Sequence, residues 1–156
     1  MEMPDTQVNY EIANHIGILT IPAFDNSLED EMLIYDLKDI CTEIESNEMI
    51  RVVVVNAATE INGKGCPVMR PNLPVILELI EQLDRLTIAA IETDATGTGL
   101  ELALACDIRI AGERSHFSLP QITAGLVPHN GGTQTLPRLI GKGRALHMVL
   151  TGESID

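Results

Sequence analysis

The chain has 156 residues, the length of one ordinary domain; 45% are apolar, only 3% are aromatic, and there is no Trp. That composition excludes a disordered chain and implies a core of Leu, Ile, Val and Ala. Ten Lys and Arg against 23 Asp and Glu leave a net charge of −13, which repels a phosphate backbone and argues against a nucleic-acid partner.

Residues 7 to 21 alternate apolar and polar around Asn14-His15, which predicts a hairpin closed by Pro22 and lying at a sheet edge. Ser27-Leu-Glu-Asp30 then carries helix-start chemistry, and Leu33, Leu37, Ile40, Cys41 and Ile44 recur at helical spacing. The run Arg51-Val-Val-Val-Val-Asn56 is β-branched at successive positions, as in a parallel strand buried on both faces. Gly63, Gly65, Pro67, Pro71 and Pro74 break the periodicity, so 57 to 74 reads as a loop, after which Pro74 opens a helix with Val75, Ile76, Leu79, Ile80 and Leu83 on one face. A second buried strand, Ile88 to Ile91, runs through a Gly-rich turn into a helix from Leu100 to Cys106. A short strand from Asp107 to Ala111 follows, with two helices at Gly131 to Ile140 and Gly143 to Leu150. Strands alternating with helices predict an α/β fold with largely parallel pairing, in a single domain over residues 1 to 156.

No run approaches the roughly 18 apolar residues of a membrane span, and Met1-Glu-Met-Pro-Asp5 has no secretory signal features, so neither membrane insertion nor secretion is expected. Cys41, Cys66 and Cys106 form no CxxC pair and no even framework, which suits a reducing, cytoplasmic setting. His15, His116, His129 and His147 lack ligand spacing, so no metal site is expected. The charge is uneven: residues 1 to 50 hold twelve acids and one base, Lys38, whereas 109 to 149 hold five bases (Arg109, Arg114, Arg138, Lys142, Arg144) and one acid, Glu113. A small polyanion fits that basic side better than the rest of the chain, although none of the five is singled out as a ligand.

The chemistry concentrates in Gly97-Thr-Gly-Leu-Glu101. Glycines let the backbone turn sharply after the strand, and the amides of Thr98 and Gly99 become free donors at a helix N-terminus. Glu101 lies in the same first turn, and a carboxylate beside anion-stabilising amides is a working pair next to a carbonyl. The same pattern also describes a plain strand-to-helix turn whose acid complements the helix dipole. A dinucleotide fingerprint is the poorer match, because Leu102 stands where its third Gly belongs.

Gly97-Thr-Gly-Leu-Glu-Leu-Ala-Leu-Ala-Cys-Asp-Ile-Arg-Ile-Ala111 is followed by Phe117-Ser-Leu-Pro-Gln121, Gly125-Leu-Val-Pro128, Gly131-Gly-Thr-Gln134, Leu136-Pro-Arg-Leu-Ile-Gly141 and Leu150-Thr-Gly-Glu153. In this order and spacing the chain resembles the crotonase (enoyl-CoA hydratase/isomerase) superfamily along its whole length. The resemblance implies a crotonase-like spiral of repeated ββα units and an enzyme, a hydratase (lyase) or isomerase, acting on acyl-CoA thioesters as in fatty acid metabolism. Coenzyme A would enter as part of the substrate, with no separate cofactor. It makes the amides of Thr98 and Lys64 the oxyanion hole, Glu101 the first catalytic glutamate, and Gly97, Gly131 and Gly132 substrate-binding turns.

The departures are equally specific. Gln121 stands where hydratases carry their second catalytic glutamate, and Gln cannot exchange a proton, though it can orient water. Thr93 and Thr98 replace family glycines, Thr87 replaces a usual Pro, and His129-Asn130 replaces Gly and a small residue, which makes His129 a candidate proton-transfer group. Cys66 falls in the first oxyanion loop that the resemblance implies, which makes it a candidate reactive thiol, although it reads better as a small loop or core thiol. The family pattern continues past Glu153 into core and C-terminal trimerisation helices, absent here, so an uncovered apolar face and a homo-oligomer, a trimer or a multiple of trimers, are expected. The competing expectation is a catalytically impaired pseudoenzyme or interaction subunit of the same fold.

Overall fold

The computed structural model describes residues 8–22, 29–57, 73–128 and 130–156. Strands β1 (Asn9–Ala13) and β2 (Ile16–Ile21) form the antiparallel hairpin. Asn14 and His15 take φ of 49° and 70°, the double left-handed turn that suits the twist of a two-residue hairpin. Helix α1 (Glu29–Ser46), strand β3 (Val52–Ala57), helix α2 (Leu73–Glu81) and strand β4 (Leu86–Ile91) follow. Then come the short strand β5 (Ala95–Thr96), helix α3 (Thr98–Ala105), strands β6 (Ile108–Ala111) and β7 (Phe117–Ser118), a 3-10 helix (Pro120–Ala124), and helices α4 (Gly132–Ile140) and α5 (Lys142–Thr151).

The main sheet runs β1-β2-β3-β4-β6 and is parallel from β2 onward, with the hairpin strand at one edge and β6 at the other. A second, two-stranded parallel sheet pairs Ala95 with Phe117 and Thr96 with Ser118. Phe117 also bridges Ile155, which ties the C-terminal segment to this small sheet.

One face of the main sheet carries Leu19, Ile21, Val53, Val55, Ala89 and Ile91, all buried with Leu37 and Ile44 of α1, Ile76 and Ile80 of α2, and Leu102 of α3. At about 25 cal/mol per Å² of apolar surface this aliphatic layer is the main stabilising term. The opposite face is also apolar but open: Val52 and Val54 are half-buried, while Ile16, Leu86, Ile108 and Ile110 are exposed. The four-valine run, read as buried on both faces, is therefore fully buried only at Val53 and Val55. Valine at every position hides the period of two that would have revealed the difference.

Thr87, where the resemblance expects Pro, performs a task Pro cannot. Its N–H donates to Asp107 Oδ2 at 2.8 Å, its hydroxyl donates to the same oxygen at 2.9 Å, and the hydroxyl oxygen accepts Asp107 N–H at 3.0 Å. The start of β4 is thereby fastened to the entry of β6.

Candidate active site

Gly97 precedes α3 at φ 55°, ψ −118°, a conformation that L side chains rarely adopt. Its N–H donates to Ser118 O at 2.9 Å, which locks the turn onto β7, and its carbonyl accepts the Glu101 N–H at 3.0 Å, the opening turn of α3. The Thr98 and Gly99 amides lie in the first helical turn, whose donors have no partner within the helix itself, and both residues are half-buried. A small apolar void of about 10 Å³ lies beside Gly99, lined by Val55, Ala89, Leu102 and Ala103 among others.

Helix α3 is buried nearly all round, at Leu100, Leu102, Ala103 and Leu104, and this same run carries Glu101 at 1% exposure. Among the described residues Glu101 is the buried charged side chain. Removing a carboxylate from water is expensive unless donors replace the water. Two donors come from Asn130: its backbone N–H reaches Oε1 at 3.0 Å and its Nδ2 reaches Oε2 at 3.1 Å. Gly131, at φ 90°, and Gly132 bring this segment close. A Cβ on Gly132 would stand 3.3 Å from Glu101 Oε1 and 3.2 Å from both Leu119 Cδ1 and Pro128 Cβ.

Gln121 sits in the 3-10 helix at 5% exposure, its backbone carbonyl accepting Leu126 N–H at 3.0 Å. Its Oε1 and the Oδ1 of Asn130 are both buried without a hydrogen-bond partner. Native interiors satisfy the large majority of such atoms, and of these two the Asn130 oxygen belongs to the side chain that also contacts Glu101. Gly97, Thr98, Glu101, Gly131 and Gly132 thus come from two helix starts that meet, and Gln121 lies on the segment that joins β7 to them. Lys64, Cys66 and His129 lie outside the described residues. The contact that sequence reasoning missed is that of Asn130, whose partner is 29 positions away; its only signal was its departure from the family's small residue.

The other thiols are inert. Burial is the main reason that the Cys106 thiol is pushed up to about 12, and burial, followed by Glu45, raises Cys41 to about 11. Both are buried and free. Exposed Asp94, just before β5, accepts His116 N–H at 2.9 Å and contacts the His116 ring at 3.2 Å. That backbone donor, then the ring, hold its carboxyl below the usual carboxylate value.

A strand-turn-helix unit presenting amides beside a buried carboxylate, on a spiral of strands and helices, defines a class, and comparison with known proteins gives the same one. The family model for enoyl-CoA hydratase/isomerase matches residues 12–156. YngF of Bacillus subtilis (strain 168), which carries an enoyl-CoA hydratase/isomerase name, is 37% identical over 157 residues, covering 90% of this chain and 60% of that protein. The (E)-benzylidenesuccinyl-CoA hydratase of Thauera aromatica is 33% identical over 166 residues, covering 96% of this chain and 64% of its own. The crystal structure of enoyl-CoA hydratase from Bacillus anthracis superposes with a TM-score of 0.78 at 32% identity, over 95% of this chain and 64% of that one. The chain belongs to the enoyl-CoA hydratase/isomerase family, within the crotonase superfamily. It spans less than two thirds of the length of these relatives. No described helix is long and apolar enough to cross a membrane.

Proposed function

We propose that this chain acts on acyl-CoA thioesters, hydrating a 2-enoyl-CoA or shifting its double bond, with Glu101 as the proton-transfer group. The observation that carries this reading is the buried Glu101 carboxylate held beside the Gly97-Thr98 turn at the start of α3. The thioester oxygen docks on the Thr98 amide, with the Lys64 amide that the resemblance implies as the second donor, so the negative charge that builds on oxygen is met by backbone N–H groups. In hydration, Glu101 takes a proton from water as the oxygen adds to C3, and returns that proton to C2 as the enolate collapses, so the carboxylate is regenerated. In isomerisation, the same carboxylate carries a proton between C2 and C4. Gly97, Gly131 and Gly132 serve as substrate-binding turns, and the absence of a Cβ on Gly132 lets its turn pack against the carboxylate. Coenzyme A enters as part of the substrate, with no resident cofactor or metal, and the open apolar sheet face supports association of copies in a cytoplasmic homo-oligomer.

The test mixes the purified chain with a short 2-enoyl-CoA and follows the conjugated thioester absorbance against a no-protein control. Loss of absorbance supports the reading, whereas a folded sample that neither binds nor consumes the thioester overturns it. Gln121 favours a second reading, a crotonase-fold subunit that binds the thioester and turns it over poorly, because one of the two carboxylates of hydration is replaced by an amide. Gln121→Glu then raises the hydration rate, by about tenfold or more if proton transfer limits it. An unchanged rate means that the lost carboxylate is not what limits the site.

A further inference from the structure

We propose that Asn130 is the positioning residue of this site: it holds the Glu101 side chain in its charged form and in one orientation, so that Glu101 serves as a proton acceptor. The proposal rests on the reading of Glu101 as the proton-transfer group. One residue supplies donors to both carboxylate oxygens, its N–H at 3.0 Å from Oε1 and its Nδ2 at 3.1 Å from Oε2. An ionised carboxylate is acceptor-only and matches this pair, whereas the neutral acid would turn an O–H toward a group that can only donate. Turned over, the amide would set its oxygen about 3 Å from Oε2, an arrangement that only the protonated acid satisfies, so the orientation of the amide and the charge of Glu101 are one state.

The arrangement comes at the expense of Asn130 itself. At 9% exposure its Oδ1 is left without a partner, so nothing on the oxygen side dictates how the amide lies. A buried Asn kept for packing alone would be replaced at no loss by an apolar residue of like size; an Asn that leaves its own acceptor unmet while donating to a carboxylate serves the carboxylate. The turn is shaped for it, since Gly131 takes φ 90° and Gly132 leaves no Cβ to crowd Oε1. Among the described residues, the titratable side chains on the helices packed against α3 are Glu78 and Glu81 of α2 and Arg138 of α4, with Lys142, Arg144 and His147 of α5 beyond them, all exposed. Cys106, at the far end of α3, keeps its proton, its thiol pushed up to about 12 by burial.

The experiment measures kcat/KM against pH, with a short 2-enoyl-CoA, for the intact chain, Asn130→Ala and Asn130→Asp. In parallel, NMR titration of the carboxyl carbons in glutamate-labelled protein reads Glu101 directly, its signal assigned by its loss in Glu101→Gln. Asn130→Ala keeps the backbone donor and loses the amide, so the acidic limb and the Glu101 titration both move to higher pH by about one unit, roughly tenfold in kcat/KM below the limb. Asn130→Asp has the same shape and adds a negative charge, so it moves both further. A packing role predicts the reverse order, with Asn130→Asp near the parent, Asn130→Ala worst, and the titration in place; that result overturns the proposal. If Asn130→Asp fails to fold, the shift in Asn130→Ala decides. The titration needs no turnover, so the proposal stands or falls even where the acyl-CoA reading fails. A Glu101→Gln variant that loses its rate while Asn130→Ala leaves the titration unmoved removes Asn130 alone.

Discussion

The two ends of the parallel strands are built to opposite rules. At their N-terminal end lies an open groove of about 670 Å³ lined by residues that include Arg51, Leu83, Arg85, Thr87 and Asp107. Its polar groups hold one another: Arg85 donates to Ile50 O at 2.9 Å and Glu45 O at 3.1 Å, and Thr87 is bonded reciprocally to Asp107. At the other end the space is tighter, yet a carboxylate is buried, two side-chain acceptors are unmatched, and Gly97 and Gly131 hold positive φ. Volume favours the first end, and strained or orphan groups occur at both, since Asn14 and His15 take positive φ and the buried Tyr10 hydroxyl beside Gly17 has no partner. The buried carboxylate is what distinguishes the second end, the one where open α/β sheets place their ligands.

Gly132→Val should break the comparison most severely, at the end that holds Glu101. Its side chain would press on Leu119, Pro128 and Glu101 Oε1 at once. Overpacking of this kind destabilises by about 1–3 kcal/mol, and a carboxylate displaced by about 1 Å loses on the order of 100-fold in rate. Thermal melts with acyl-CoA kinetics measure both. At the other end, Thr87→Val removes a hydroxyl that both donates to and accepts from Asp107. Denaturant unfolding should show a loss of about 1–3 kcal/mol with kcat unchanged, the signature of a lock remote from the chemistry. Asp94 gives the smallest effect. Its carboxyl is lowered in the folded chain, so its contribution is full above the ordinary Asp value of about 3.9 and fades as pH falls through the lower folded value. The difference in Tm between the parent and Asp94→Asn should therefore narrow as pH is taken down through that range, and a difference that is flat with pH would remove Asp94 from the account.

Much of the scaffold was legible because its signals are local. The Asn14-His15 turn, the apolar stripe of Leu33, Leu37 and Ile44, and the Gly97 turn into a Leu-rich helix each follow from periodicity or a residue with special φ. Helix α2 begins at Leu73 with Pro74 in its first turn, one residue from the expected start. Strands β5 and β7 went unread because two residues carry no period, and the 3-10 helix at Pro120–Ala124 because it is a single short turn structure closed by Gly125 at φ 70°. Glu101 stood out because it shares the first helical turn with the Thr98 and Gly99 amides. Its pairing with Asn130 did not, since only the meeting of α3 with the start of α4 brings the two together.

The most direct measurement is the rate of 2-enoyl-CoA consumption by Glu101→Gln beside that of the parent, with CoA-thioester binding and folding measured on both. Gln keeps the shape of the side chain and removes its capacity to move a proton, so the rate should fall by about 100-fold or more while binding and fold remain. Equal rates in the two proteins would contradict the assignment of Glu101 as the proton-transfer group.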